Sequence, residues 1–234
     1  MYKQYIRYKK IKYFGILNKF LLNLFRNFPK LYLVTKFKFL KIIPSDINQH
    51  LKTIMAYSKE CESVFETGVR GVVSSWAIIS GLYRNKSESK IFFMNDIEEI
   101  DIIEIQNICK KLRIQIKFEW IDNLKLDLDQ NYDLTFIDTW HVYGQLKREL
   151  DKFSKKTNKY IILHDTSVDA EEGESLRQGY NIEQQSKESG FSIEEITKGL
   201  WPAVTEFLSS NPNWVLKKRY KNNNGLTILE RVKF

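Results

Sequence analysis

The feature that most constrains this chain is a repeated change of hydrophobic period between residues 62 and 163. Short apolar runs read as strands at 62–66, 90–95, 114–120, 132–137 and 159–163. Helical spacing fills the gaps at 73–84, 98–112 and 142–154. Strand–helix repetition of this kind predicts a parallel sheet covered on both faces. The end of the chain breaks the rhythm. Trp201-Pro202 opens a helix with Pro in its first turn. Asn213 to Tyr220 and Leu226 to Val232 then flank Asn222-Asn223-Asn224-Gly225, which is hairpin chemistry. The expected architecture is α/β: a Rossmann-like, doubly wound, mostly parallel sheet of seven strands with a C-terminal antiparallel hairpin. A plain dinucleotide-binding dehydrogenase domain has no such ending.

Charge divides the chain in two. The first 45 residues hold 11 Lys or Arg and no acid, whereas the rest holds 26 basic and 29 acidic residues. The net charge of +8 therefore belongs to an N-terminal arm, residues 1–43, and not to the body, residues 44–234. That split argues against nucleic acid as a partner of the body. Within the arm Phe14, Leu17, Phe20, Leu21, Leu24 and Phe25 recur at helical spacing. A basic, aromatic helix of this kind suits an anionic membrane surface, a partner subunit in a homo-oligomer, or a cover over the substrate cleft. The arm lacks Ser, and its apolar stretch is interrupted by Asn18, Lys19 and Asn23, so it fits neither a transit peptide nor a secretory signal. No run approaches membrane-span length. Cys61 and Cys109 have no metal-ligand spacing and read as buried thiols in a reducing compartment, which makes the expected location cytoplasmic, peripheral to a membrane if the arm binds one. Pro44-Ser45-Asp46 reads as the start of a further helix with Ile47, Leu51, Ile54 and Met55 on one face.

Three strand ends carry the chemistry. Glu66-Thr67-Gly68-Val69-Arg70-Gly71 follows the first strand and precedes a helix. Glycines allow a tight turn and close approach to a ligand, and an acid there can accept hydrogen bonds from a ribose or an ammonium group. The spacing is G-x-x-G, so the pyrophosphate fingerprint is missing. Asp96 closes the second strand, where an acid either holds ribose hydroxyls or caps the next helix. Asp122-Asn123 after the third strand either reaches an adenine or turns the chain. Asp138 and His141 follow the fourth strand, and adjacent His164 and Asp165 the fifth. Asp138, Asp165 and His164 could hold a divalent cation, with His141 poised as a base. His50 has no such company and reads as a surface residue. Trp201, Trp214 and Tyr220 read as core aromatics. Glu171-Glu172-Gly173-Glu174 reads as a solvated loop that could also cap a substrate site.

Together these residues resemble the class I S-adenosylmethionine-dependent methyltransferases over roughly residues 60 to 232. ETGVRG is similar to their glycine-rich first motif, Asp96 to the acid after their second strand, and the hairpin to their reversed last strand. The resemblance implies S-adenosylmethionine as cofactor, with Glu66, Gly68, Arg70, Gly71, Ser74, Asp96, Asp122 and Asp138 around it. Within that superfamily FIDTWH and ILHDT resemble the metal-dependent sugar O-methyltransferases and the related cephalosporin-hydroxylase and rhamnosyl methyltransferase group. This implies a metal ligand at Asp138, a general base at His141 and Mg2+ or another divalent cation. His164 departs from that pattern, which usually has Glu or Asp there. The implied reaction is methylation of a hydroxyl on a sugar, glycan or other small acceptor, with residues 167–200 supplying the acceptor pocket. The rival reading is a hydroxylase-like or non-catalytic protein of the same fold, recruited to a membrane or polyanion by its arm.

Overall fold

The computed structural model describes residues 28–232. Five strands, β1 (Ser63–Thr67), β2 (Ile91–Asp96), β3 (Gln115–Trp120), β4 (Tyr132–Ile137) and β5 (Thr157–His164), pair in parallel. Two more, β6 (Trp214–Tyr220) and β7 (Leu226–Arg231), form the closing hairpin, and β7 runs antiparallel to β5. The order across the sheet is β3-β2-β1-β4-β5-β7-β6. The expected seven-stranded sheet with a reversed end is therefore the observed one.

The helices are α1 (Pro29–Ile42), α2 (Leu51–Lys59), α3 (Val73–Arg84), α4 (Ile103–Lys111), α5 (Tyr143–Phe153), α6 (Glu174–Arg177), α7 (Ile182–Ser189), α8 (Ile193–Thr197) and α9 (Leu200–Ser210). They divide between the two faces because side chains alternate along a strand. Val64, Phe92 and Phe136 join one core with α1 to α4, while their neighbours Phe65, Phe93 and Ile137 join a second core with α5 and α9. Fully buried strands of this type need apolar side chains on both faces, which is why they read as continuous apolar runs. Cys61 and Cys109 are free and buried. No helix among the described residues is long and apolar enough to cross a membrane.

Helix α1 belongs to the basic arm, yet it is built into the domain. Tyr32, Leu33, Phe37 and Leu40 are buried in the first core. Lys36 is buried too, with Nζ 3.2 Å from Glu104 on α4 and 5.1 Å from the centroid of Trp76. The Tyr32 hydroxyl donates to the same carboxylate. The helical spacing expected from Phe14 to Phe25 lies outside the described residues.

Four local expectations are corrected. The helix expected from 98 begins only at Ile103, because Asp96 and Asp101 each accept a hydrogen bond from the backbone N–H two residues on, at Glu98 and Ile103. Such side-chain turns compete with helix formation. The helix expected at Pro44 begins at Leu51. Ser45 and Asn48 hold local turns instead. His50 is buried and not on the surface, with Nε2 2.8 Å from the Asn222 carbonyl of the β6–β7 turn. Of the three aromatics read as core, Trp214 is buried, whereas Trp201 and Tyr220 are half-buried.

Helices α2 and α3 touch through Gly81. A Cβ there would lie 2.5 Å from the Met55 carbonyl and from the Ser58 Cβ, and 2.8 Å from the Lys59 nitrogen. Backbone atoms cannot step aside as a flexible side chain can. Gly81→Ala should therefore destabilise the protein by about 1–3 kcal/mol, despite the better helix propensity of Ala. Urea unfolding should show a lower midpoint with an unchanged slope, and an unaltered midpoint would contradict this packing.

Candidate functional site

The loop after β1 lies where the sheet changes direction, since β1 is flanked by β2 on one side and β4 on the other. Open α/β sheets bind ligands at such a switch point. Gly68 adopts φ +82°, and a Cβ on it would lie 1.9 Å from the Asp138 carbonyl oxygen. Its N–H donates to the Asn95 carbonyl at 3.0 Å, and the Asp138 N–H donates to the Thr67 carbonyl at 3.0 Å. Glycine is thus required by both conformation and contact. Gly71 is not, since a Cβ there would meet only the Val73 side chain at 3.9 Å.

Past Gly68 the backbone is left-handed at Arg70 (φ 29°) and Val72 (φ 53°). Asp96 holds this loop in place. Its Oδ2 accepts from the Val69 and Arg70 N–H groups at 2.7 and 2.9 Å, and its Oδ1 from Glu98 at 3.0 Å. A carboxylate offers about four acceptor positions, so Asp96 keeps capacity for a further donor. Glu66 is fully buried, and Ser74 and Ser75 donate to its two oxygens at 2.5 and 2.6 Å. Arg70 is 83% exposed and lies 3.6 Å from Asp46. Asp122 accepts from the Leu124 N–H at 3.0 Å and so turns the chain.

Four residues singled out in the sequence meet beyond β4 and β5. Asp138 Oδ1 lies 3.1 Å from His141 Nε2 and 3.2 Å from His164 Nδ1. His141 Nδ1 in turn lies 3.1 Å from Asp165, 3.6 Å from Asp169 and 3.4 Å from Glu174. His164 Nδ1 is 3.5 Å from Asp165 Oδ1, and its Nε2 faces the Asp46 carbonyl at 3.2 Å. Ligand atoms of Asp138, His141 and Asp165 all lie within 4.8 Å of one another. Asp165 is left-handed at φ 55°, an uncommon conformation for Asp that aims its carboxylate back toward His141.

The carboxylates decide the protonation of the imidazoles. Burial alone would lower the pKa of His164, but Asp138 and Asp165 reverse this and raise it to about 9. His141 is likewise raised well above the ordinary imidazole value, against the opposing effect of burial, by Asp138, Glu174 and Asp165. Asp138 is held far below the usual carboxylate range: burial opposes its ionisation, and the two histidines outweigh burial. Asp165 is raised by burial, with His141 and His164 only partly offsetting it.

Sequence reading missed several participants. Glu174 is a half-buried partner of His141 that opens α6; the run 171–174 reads as a solvated loop or a cap on a substrate site, and Glu171 and Glu172 are exposed. Asp169 is fully buried and takes Arg177 through both its oxygens. Glu149 is buried under the site and accepts from Asn123, Thr139 and Gln145 at 2.6, 2.6 and 2.8 Å. Nothing in KRELDK distinguishes Glu149 from a solvated helical acid. Exposed Ile97 and Trp120 flank Asp96 at the ends of β2 and β3, with the Trp120 indole N–H donating to the Ile97 carbonyl at 2.7 Å.

Glu66 generates a pH prediction. Burial raises its pKa to about 8, with Ser74 and Ser75 working the other way. The folded state then binds a proton that the unfolded state releases near the ordinary carboxylate value of 4.5. Stability from this group is complete below that value and is lost as pH rises toward about 8. Glu66→Gln removes the titration, so its stability relative to the parent should grow across this window, by on the order of 1 kcal/mol per pH unit, and level off above it. Urea unfolding of both proteins at several pH values reads this; a constant difference would refute it.

No family model matches the chain, and no curated protein matches it. Solved structures do match. The N-methyltransferase NodS from Bradyrhizobium japonicum WM9, in complex with S-adenosyl-L-homocysteine, is 11% identical with a TM-score of 0.51 over 82% of this chain and 90% of that one. A proposed O-methyltransferase from Klebsiella pneumoniae is 12% identical with a TM-score of 0.51 over 93% and 97%. A proposed caffeoyl-CoA O-methyltransferase from Staphylococcus aureus is 15% identical with a TM-score of 0.50 over 92% and 99%. Identities this low carry a likeness of fold. The chain has the Rossmann-like fold of these methyltransferases.

Proposed function

We propose that this chain is an S-adenosylmethionine-dependent O-methyltransferase that acts on a hydroxyl of a sugar or glycan with the help of a divalent cation. The observation that carries the reading is the convergence, at the β1/β4 switch point, of the Gly68 turn with Asp138, His141, His164 and Asp165.

The residues suit both groups. For the cofactor, Ile97 and Trp120 offer exposed apolar surface to a purine beside Asp96, which retains acceptor capacity for a ribose hydroxyl. Glu66, Arg70, Gly71, Ser74 and Asp122 shape or surround the same loops. For a cation, Asp138, His141 and Asp165 already bring their ligand atoms together, and Asp165 Oδ1 and His141 Nδ1 are buried without a well-directed hydrogen bond. Buried polar atoms of that kind call for a partner. Sequence reasoning gives His164 to the cation and leaves His141 as base; the geometry also admits His141 as a ligand.

S-adenosylmethionine supplies the electrophilic methyl group when bound. A divalent cation supplies charge that lowers the pKa of an acceptor hydroxyl. The chain must then orient the hydroxyl and take its proton. His141 is the group placed to do so, but the surrounding carboxylates raise its pKa and so favour its protonated form. It would act as a base only after losing that proton, which positive charge held by Asp138 and Asp165 would favour. The cation and the protons therefore compete.

Three outcomes follow. Titration calorimetry should show S-adenosylmethionine or its demethylated product binding to the intact chain in preference to NAD; the converse sinks the reading. Mn2+ binding should release protons and tighten as pH rises from about 6.5 toward 9, the window set by His164. Calorimetry in buffers of different ionisation enthalpy reads the released protons, and pH-independent binding would remove the competition. His141→Gln should lower turnover by roughly a hundredfold or more. Unchanged Mn2+ affinity in that variant assigns His141 as base, and lost affinity assigns it as ligand.

A further inference from the structure

One charged surface is not explained by this chemistry. Helix α1 buries one face in the domain and turns another outward. That outer face carries Ile42 at 77% exposure and Leu31 at 48%, with Phe28 at 61% just before the helix. Lys30 and Lys38 are exposed between them. Lys41, near the end of α1, faces Lys52 on α2 closely enough for their ammonium groups to interact, with Lys38 also nearby. Among the described residues no carboxylate lies within 4.0 Å of Lys30, Lys38, Lys41 or Lys52, although Lys36 on the inner face has Glu104. The domain thus gathers like charges from two helices with no carboxylate among them, beside large apolar side chains in water; the Phe37 ring, its centroid 5.7 Å from Lys41 Nζ, is their one aromatic contact among the described residues.

We propose that the outer face of α1, with Lys52 of α2, is a docking surface for an anionic lipid bilayer. A membrane suits both halves of the pattern. Ammonium groups meet lipid phosphates, and Phe28, Leu31 and Ile42 reach the acyl boundary. Charge complementarity extends along the chain, since residues 1–27 add seven Lys or Arg and no acid. A second copy of this chain would bring the same lysines against themselves, and a nucleic acid would leave the three apolar side chains without a role. The face stands on α1, which Leu33, Phe37 and the Lys36–Glu104 pair fix to the domain, so docking would hold the whole body against the bilayer.

The test is flotation of the full chain with vesicles of phosphatidylcholine alone and of phosphatidylcholine mixed equally with phosphatidylglycerol. The intact protein should float with the mixed vesicles only, and less so at high salt. Replacing Lys38, Lys41 and Lys52 together by Ser should reduce partitioning at least about tenfold, since each lysine near an anionic surface contributes measurably. Ile42→Ser should also reduce it, at any salt concentration. All four positions are at the surface or nearly so, and an unchanged thermal midpoint confirms that the variants fold. Failure of the intact chain to float overturns the proposal. So does flotation that the triple variant retains, which would assign binding to residues 1–27 alone. Absence of flotation with a change of mass in solution on Ile42→Ser would make the face a contact between copies instead. S-adenosylmethionine binding plays no part in these readouts, so their failure would leave the proposed chemistry standing.

Discussion

Asp138 is the interaction on which the rest of the site depends. It is the first residue beyond β4, and its backbone is pinned to β1 through the Thr67 carbonyl and the contact with Gly68. One of its oxygens faces two imidazoles from different segments, His141 in the following loop and His164 at the end of β5. A buried carboxylate is costly unless it is paired. Here the pairing places the two rings, and the rings in turn place Asp165, Asp169 and Glu174 around the far side of His141. Removal of Asp138 would leave two imidazolium ions without their common counter-charge, so the cluster behaves as a unit.

A second layer of contacts closes the site from outside the sheet. The segment Ser45–His50 crosses the ends of the strands on its way from α1 to α2. Asp46 meets His164 through its carbonyl and Arg70 through its carboxylate. The same segment is tied to the β6–β7 turn through His50 to Asn222, Gln49 to Asn223 and Asn222, and Asn223 to the Ser45 carbonyl. Asn224 of that turn accepts from Ser167 and Val168, just beyond Asp165. The reversed hairpin that marks this architecture thereby does a local job: its turn braces both the entry of the chain and the loop that carries Asp165.

The sheet was legible in the sequence because its signals are local. Each strand is a short apolar run, and Asn222-Asn223-Asn224-Gly225 can hardly be anything but a turn; Asn223, Asn224 and Gly225 all take positive φ. The Asp138, His141, His164 and Asp165 cluster was legible for a related reason, since strand ends in a parallel sheet share one edge. What escaped depends on distance. His50 looks like a surface residue until the hairpin turn, more than 170 positions away, supplies its partners. Glu149 looks like a solvated acid until α5 folds it against Asn123 and Thr139. Asp96 illustrates a third case. Neither role weighed for it includes the one seen here, which is to hold the loop after β1 through Oδ2.

The charge state of the cluster bears on its chemistry as well. Five carboxylates, from Asp138, Asp165, Asp169, Glu174 and the more distant Glu149, surround two histidines in a largely water-excluded region. Arg177 neutralises Asp169 from outside. The raised pKa values of His141 and His164 favour their charged forms, which balance carboxylate charge but lack the lone pairs that a base or a ligand needs. Under the proposed function the same imidazoles would be needed neutral, so protons and the proposed cation would compete for this cluster. The raised pKa of His164, about 9, and the closeness of the ligand atoms of Asp138, His141 and Asp165 are the two features this proposed competition sets against each other. A neutral amide at either position relieves the proton's hold and weakens the proposed metal binding only where that ring is a ligand, which is why stability and metal affinity must be read together on the same variant.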